Sequence, residues 1–113
     1  MIKLMINVVR KVGMSHEEFA DYWRNKHGPL VKSVPEFTRY IRKYVQCHLA
    51  AGGTPLGAAG VFDGVAEMWF DNAADMERAF GEPRYLEIVR PDEIKFADLP
   101  KCVSLITEEV SMI

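Results

Sequence analysis

The sequence has little cysteine, no excess of positive charge and no apolar run long enough to cross a bilayer. Its two cysteines, Cys47 and Cys102, stand far apart, with no CxxC and no Cys/His spacing suited to zinc. They read as reduced structural thiols. Lys and Arg number 14 against 16 Asp and Glu, for a formal charge of -2. Affinity for phosphate polymers comes from clustered positive charge, so nucleic acid and an anionic membrane surface are excluded as partners. The apolar stretch from Met1 to Val9 carries Lys3 and Asn7. It falls far short of the about 20 residues that span a bilayer, and it lacks a basic leader followed by a small-residue cleavage site. The expected location is cytoplasmic. What remains is 113 residues, 49% hydrophobic and 27% charged. That composition excludes disorder and predicts one globular domain over 1–113, with no room for a separate cofactor domain.

Ile2, Leu4, Ile6 and Val8 alternate with Lys3, Met5, Asn7 and Val9, the period of a strand covered on both faces. After Gly13, Ser15 and Glu18 have the spacing of a capping box, and Phe19, Tyr22, Trp23, His27 and Leu30 follow at helical steps. The pattern predicts helix one from Ser15 to His27, stopped by a left-handed Gly28 and by Pro29. Alternation resumes at Phe37 for strand two, with Tyr40, Tyr44, Gln46 and His48 on one parity. Ala50 to Gly60 is uncharged and glycine-rich, a connection longer than a tight hairpin needs. Strand three is expected over Val61 to Phe70. Asp71-Asn72 then caps a helix carrying Met76, Ala79 and Phe80 inward, short helical turns follow around Pro91, and strand four covers Cys102 to Val110.

Strand, helix, strand, strand, helix, strand is the order of an α+β, ferredoxin-like βαββαβ fold. It implies a four-stranded antiparallel sheet with two helices on one face. Strands one, three and four are apolar on both parities. The uncovered face therefore predicts a second copy packed sheet to sheet, a homodimer.

Among the three histidines, His16 reads as solvated surface in the first helical turn. His27 lies on the buried stripe one turn after Trp23, where an imidazole either caps its helix or serves a site. If the second parity of strand two faces helix one, then Tyr40, Tyr44, Gln46 and His48 converge with His27 on one pocket. Such a concentration of buried polar groups is costly unless water or a ligand satisfies it. Glu67, in an apolar strand, is expected to pair across strands with Arg39, Arg42 or Lys43. No HxxxH or HxD spacing joins His27, His48 and Glu67 as metal ligands. Gly52 to Gly57 has phosphate-loop spacing, but Ala58 and Ala59 follow where Lys and Ser/Thr are required. No metal or cofactor is expected.

The N-terminal strand, MSHEEFADYWRNKHGPLV, YVQCH, FDGVAEMWF and PDEIKF together resemble the EthD family. The resemblance covers nearly the whole chain and implies small ferredoxin-like subunits that dimerise into an α/β barrel. Within the family the chain is similar in length and strand placement to the methylisomerase of 4-methylmuconolactone. That likeness implies a cofactor-free acid–base site with His27 at the end of helix one and Tyr40 on strand two. Two departures stand against that particular reaction. Met68 occupies the place of the methylisomerase thiol, and its second His falls near Gly52-Gly53, leaving His48 as a spatial substitute.

The reading that follows is a small cofactor-independent enzyme of catabolic or polyketide-type metabolism. It would perform isomerisation, dehydration or cyclisation on a small apolar carbonyl or lactone compound. His27, Tyr40 and His48 are its expected catalytic groups, and Trp23, Tyr44, Gln46, Met68 and Asn7 its substrate contacts. The alternative is a non-catalytic dimeric binding module serving an oxidative degradation pathway, with His27 merely capping its helix.

Overall fold

The computed structural model describes residues 1–50 and 62–113. The expected long connection, Ala50 to Gly60, lies outside the described residues beyond Ala50, as does the expected start of strand three at Val61. Strand β1 (Ile2–Val8) leads to α1 (His16–Tyr22), which begins with the capping box that Ser15 and Glu18 predict. Ser15 Oγ accepts from the Glu18 N–H, and the Glu18 carboxylate accepts from the Ser15 N–H.

The helix does not stop at Gly28-Pro29. It continues through a π turn (Trp23–His27) into α2 (Gly28–Lys32), and Gly28 is right-handed, with φ -55° and ψ -52°. In the π turn the Gly28 N–H reaches back to the Trp23 carbonyl. Pro29, which has no N–H, then falls in the opening positions of a fresh α segment, where none is needed. A second single turn, α3 (Pro35–Thr38), occupies what the alternation from Phe37 assigns to a strand, because Pro35 presets the first helical φ. Strand β2 is consequently shorter than expected, Ile41–His48.

Strand β3 (Gly64–Phe70) is followed by α4 (Ala73–Gly81), whose Asn72 cap accepts from the Asp75 N–H at 2.8 Å. A second π turn (Tyr85–Val89) then runs into α5 (Arg90–Glu93). There the Arg90 N–H bonds the Tyr85 carbonyl and Pro91 sits in the first positions. The same device is thus used twice, once before Pro29 and once before Pro91. A 3₁₀ turn (Leu99–Lys101) precedes β4 (Val103–Thr107).

The sheet order is β2-β3-β1-β4 with every neighbour antiparallel, which establishes the ferredoxin-like α+β fold. A bulge between Ile41 and Lys43 sets the β2 register, pairing Tyr44 with Met68, Gln46 with Ala66 and His48 with Gly64. These residues share the helix-covered face with Leu4, Ile6 and Val8. Beneath the helices lie two apolar clusters, one around Val31, Phe37, Phe70 and Val89, the other around Phe19, Trp23, Ala66 and Phe96. Gly64 lets Trp23 lie directly on the sheet, since a Cβ there would stand 2.6 Å from the indole and 2.9 Å from the Cys47 carbonyl oxygen.

The other sheet face carries Met5, Val65, Trp69, Val103 and Leu105, and Leu105 is 51% exposed. Glu67 does pair across strands, but with Lys3 on β1 at 3.6 Å. Arg42 is taken by Asp71 and Arg39 by Glu82, and Lys43 stacks over Trp69. No described helix is long and apolar enough to cross a membrane.

Candidate active site

Between the helices and the sheet lies a cavity of about 360 Å³. Its floor is the inward parity of the sheet, including Leu4, Ile6, Tyr44, Ala66 and Met68, and its roof includes Trp23, His27, Tyr85 and Phe96. Of the residues the sequence nominates, Trp23, His27, Tyr44 and Met68 line this space together.

His27 ends the first π turn and is 5% exposed. Its Nδ1 lies 2.8 Å from Asp92 Oδ2, an acceptor when ionised, so Nδ1 carries the hydrogen and donates it. Asp92 is itself buried, and its other oxygen accepts from the Tyr22 hydroxyl. Burial is the strongest influence on His27 and pushes its pKa down; the Asp92 bond opposes it without reversing the direction. The resting imidazole is therefore neutral, and Nε2 holds its lone pair. Among the described residues Nε2 has no hydrogen-bond partner, yet no buried side-chain nitrogen or oxygen is left unpaired. His27 itself lines the cavity, with Nδ1 held by Asp92. The Phe96 ring packs 4.6 Å from the imidazole, and burial pushes the Tyr22 phenol up to about 12, with the Asp92 hydrogen bond adding to the effect.

Asp92 and Glu93, which the pattern left without a role, arrive through the second π turn. Its signal in the sequence is Pro91 followed by two carboxylates in PDEIKF, but nothing local says that Asp92 meets a histidine 65 positions earlier.

Gln46 and His48 stand just behind the cavity wall. Gln46 donates to the Trp23 carbonyl at 2.7 Å, the oxygen that also accepts from Gly28, and a Cβ at Gly28 would come within 3.1 Å of that amide. The Gln46 carbonyl end then accepts from His48 Nε2 at 2.8 Å, and the His48 ring packs tilted against Trp23 with centroids 4.6 Å apart. These two residues face an outer groove with Arg24, Lys32 and Lys43 and not the cavity itself.

Two nominated residues are placed elsewhere. The Tyr40 hydroxyl accepts from Arg39 at 3.1 Å and lies 3.4 Å from Glu82, outside the cavity lining. Tyr40 precedes the Ile41/Lys43 bulge, which breaks the parity linking it to Tyr44. Asn7 shares the open sheet face with Val65 and Val103 and donates to the Val103 carbonyl at 3.1 Å. The alternation that sends Ile6 and Val8 inward sends Asn7 outward.

His16, expected to be free in solvent, bonds Asp63 at 2.9 Å beside Arg10. Burial works against the charge on Asp63, but bonds from the Arg10 backbone, His16 and the Arg10 guanidinium hold its pKa low. No group of three or more His, Cys, Asp or Glu among the described residues is placed to hold a metal ion.

The described residues thus form a ferredoxin-like fold in which an apolar cavity is lined by a buried imidazole bonded to a carboxylate. The EthD domain family model matches residues 11–100, and the chain belongs to that family. It is 32% identical over 104 residues to the conidial pigment biosynthesis dehydratase EthD of Metarhizium robertsii, covering 84% of this chain and 72% of that protein. It is 25% identical over 107 residues to the dehydratase aurZ of Gibberella zeae, covering 87% and 70%. In three dimensions it resembles an EthD family protein from Bacillus halodurans, with TM-score 0.71, 23% identity and coverage of 97% and 99%. It also resembles a dimeric protein of ferredoxin-like fold from Bacteroides fragilis, with TM-score 0.67, 13% identity and coverage of 96% and 95%. The likeness to these two solved structures concerns the fold.

Proposed function

We propose that this chain is a small dehydratase-type enzyme whose base is His27, acting without a cofactor on an apolar, carbonyl-bearing molecule such as a polyketide-like ring or a lactone. The observation that carries the reading is the buried His27–Asp92 pair opening onto an apolar cavity. Asp92 fixes the tautomer with hydrogen on Nδ1, so Nε2 is the free base. It takes a proton from the carbon beside the carbonyl, and Asp92 stabilises the imidazolium that forms. Tyr44, on the cavity floor, replaces Tyr40 as the group placed to donate to the carbonyl oxygen while enolate charge develops. Burial pushes its phenol up, with the Gln46 amide beside it pulling the other way, and it remains a protonated donor at neutral pH. Trp23, Met68 and Phe96 supply apolar walls. Both relatives are named dehydratases, and the elimination of water begins with such a proton abstraction.

The working unit is proposed to be a homodimer formed through the open sheet face, with one domain over 1–113. Exposed Val103 and Leu105 beside Trp69 on that face favour a second copy there.

The test uses 1-tetralone, an apolar ketone small enough for the cavity, in deuterated buffer. The wild type is expected to speed deuterium uptake at the carbon beside the carbonyl, and His27→Gln, judged folded by circular dichroism, to lose that acceleration. Equal exchange by both proteins would remove His27 as the base. Ligand-induced stabilisation without any exchange would leave a binding module.

A further inference from the structure

One carboxyl group lines the cavity, and it comes directly after the residue that orients His27. Glu93 closes α5 and lines the cavity with His27. Its Oε2 accepts from the Tyr85 hydroxyl at 2.8 Å, and its Oε1 lies 3.5 Å from the Arg90 guanidinium. Those bonds leave Glu93 anchored at one edge of the same space and on a side chain only 19% exposed.

We propose that Glu93 is a catalytic acid that protonates the departing hydroxyl group, so that the substrate is a β-hydroxy carbonyl compound. The proposal rests on the reading of His27 as base. In the balanced step, the C–H bond beside the carbonyl breaks and His27 Nε2 takes the proton. The electron pair forms the carbon–carbon double bond and the β C–O bond breaks. The hydroxyl leaves as water with the Glu93 proton. The products are the unsaturated carbonyl compound, water, an imidazolium and a carboxylate, and solvent returns the proton from His27 to Glu93.

The other cavity groups that carry a proton are poorly suited to this role. The Tyr44 and Tyr85 phenols are pushed up by burial and hold their protons tightly. The Cys102 thiol is likewise pushed up by burial and points to the Asp98 carbonyl at 3.3 Å. Arg90 stays charged, and Asp92, outside the cavity lining, is engaged by His27 and Tyr22. Burial raises the Glu93 pKa above the ordinary carboxylate value, with Asp92 adding to the rise, while Tyr85 and Arg90 oppose it. Those two opposing groups also stabilise the carboxylate as its proton departs. An imidazole lowered by burial and a carboxyl raised by burial line one cavity, their pKa values displaced in opposite directions as in an acid–base pair.

The experiment follows 3-hydroxy-1-tetralone in deuterated buffer. Loss of water from this ketone leads to 1-naphthol, which is read by fluorescence, while deuterium at C2 of recovered substrate reports the base step separately. Glu93→Gln is expected to keep C2 exchange within about threefold of wild type while naphthol formation falls roughly 10²-fold, and Glu93→Asp to restore part of it. Naphthol formation by Glu93→Gln within about threefold of wild type would overturn the proposal, as would an equal fall in exchange and product, the mark of a structural role. If instead wild type and His27→Gln exchange C2 equally, the base assignment itself has failed, a result distinct from either outcome at Glu93.

Discussion

Asp92 Oδ2 accepts the Nδ1 hydrogen of His27 at 2.8 Å although the two residues are separated by 65 positions, and both are buried. Each sits beside a π turn followed by a proline, Trp23–His27 before Pro29 and Tyr85–Val89 before Pro91. The widened turn lets each helix pass its proline and sets the two side chains against each other behind the cavity face of His27.

Asp92→Asn keeps the shape of this contact but loses the obligatory acceptor, so the imidazole is no longer held with Nε2 free. Proton abstraction is expected to fall by about 10²-fold with little change in substrate affinity. Single-turnover deuterium exchange with 1-tetralone reads the effect; a loss confined to KM would argue against an orienting role.

The lowered pKa of His27, caused chiefly by burial, has a consequence for folding. The unfolded chain takes up the His27 proton near pH about 6.5, whereas the folded state resists it until lower pH. The unfolded state thus binds more protons in that window, and stability present above about pH 6.5 is lost as pH falls toward the folded-state value. Burial also lowers His48, which adds to the same slope. Urea midpoints at pH 7.5 and 5.5 should drop more for wild type than for His27→Gln; parallel drops would refute the assignment.

Gly28 and Gly64 should respond unequally to alanine. At Gly64 the new Cβ meets the Trp23 ring and the Cys47 carbonyl at 2.6 and 2.9 Å, and the backbone cannot yield cheaply. A cost of about 2 kcal/mol is expected. At Gly28 the neighbour at 3.1 Å is the flexible Gln46 amide, so the main loss is its bond to the Trp23 carbonyl, about 1 kcal/mol. Denaturant midpoints of the two variants rank the effects.

Tyr40→Phe removes a hydroxyl that contacts only Arg39 and Glu82 among the described residues. It should leave exchange activity unchanged, whereas Tyr44→Phe should slow it by at least about tenfold. The reverse order, measured with 1-tetralone, would return the donor role to Tyr40.

Leu105→Glu places a charge on the open face of the sheet next to Met5. If the proposed homodimer forms through this face, the wild type is expected to elute as a dimer and the variant as a monomer, because burying an unpaired carboxylate in a sheet-to-sheet interface is costly. Identical profiles would locate any interface elsewhere.

Local patterns determined much of this protein. The Ser15/Glu18 box, the Asn72 cap, the alternation of Leu4, Ile6 and Val8 and the order of elements are short-range features, and they suffice for the ferredoxin-like fold. The family resemblance read from HGPL and FDGVAEMWF also stands. His27, Trp23 and Tyr44 could be nominated from helical and strand periods, which report the face a side chain occupies, and Met68 from the family resemblance. The period fails where the backbone departs from it, at the π turn that carries the helix past Gly28 and at the bulge that separates Tyr40 from Tyr44. Partnership is a different quantity. That Asp92 holds His27, that Lys3 meets Glu67 and that Glu93 enters the cavity depend on how distant segments pack. Only the tertiary structure decides them, because a side chain's burial and charge environment are set by neighbours in space, whose identity no local spacing encodes.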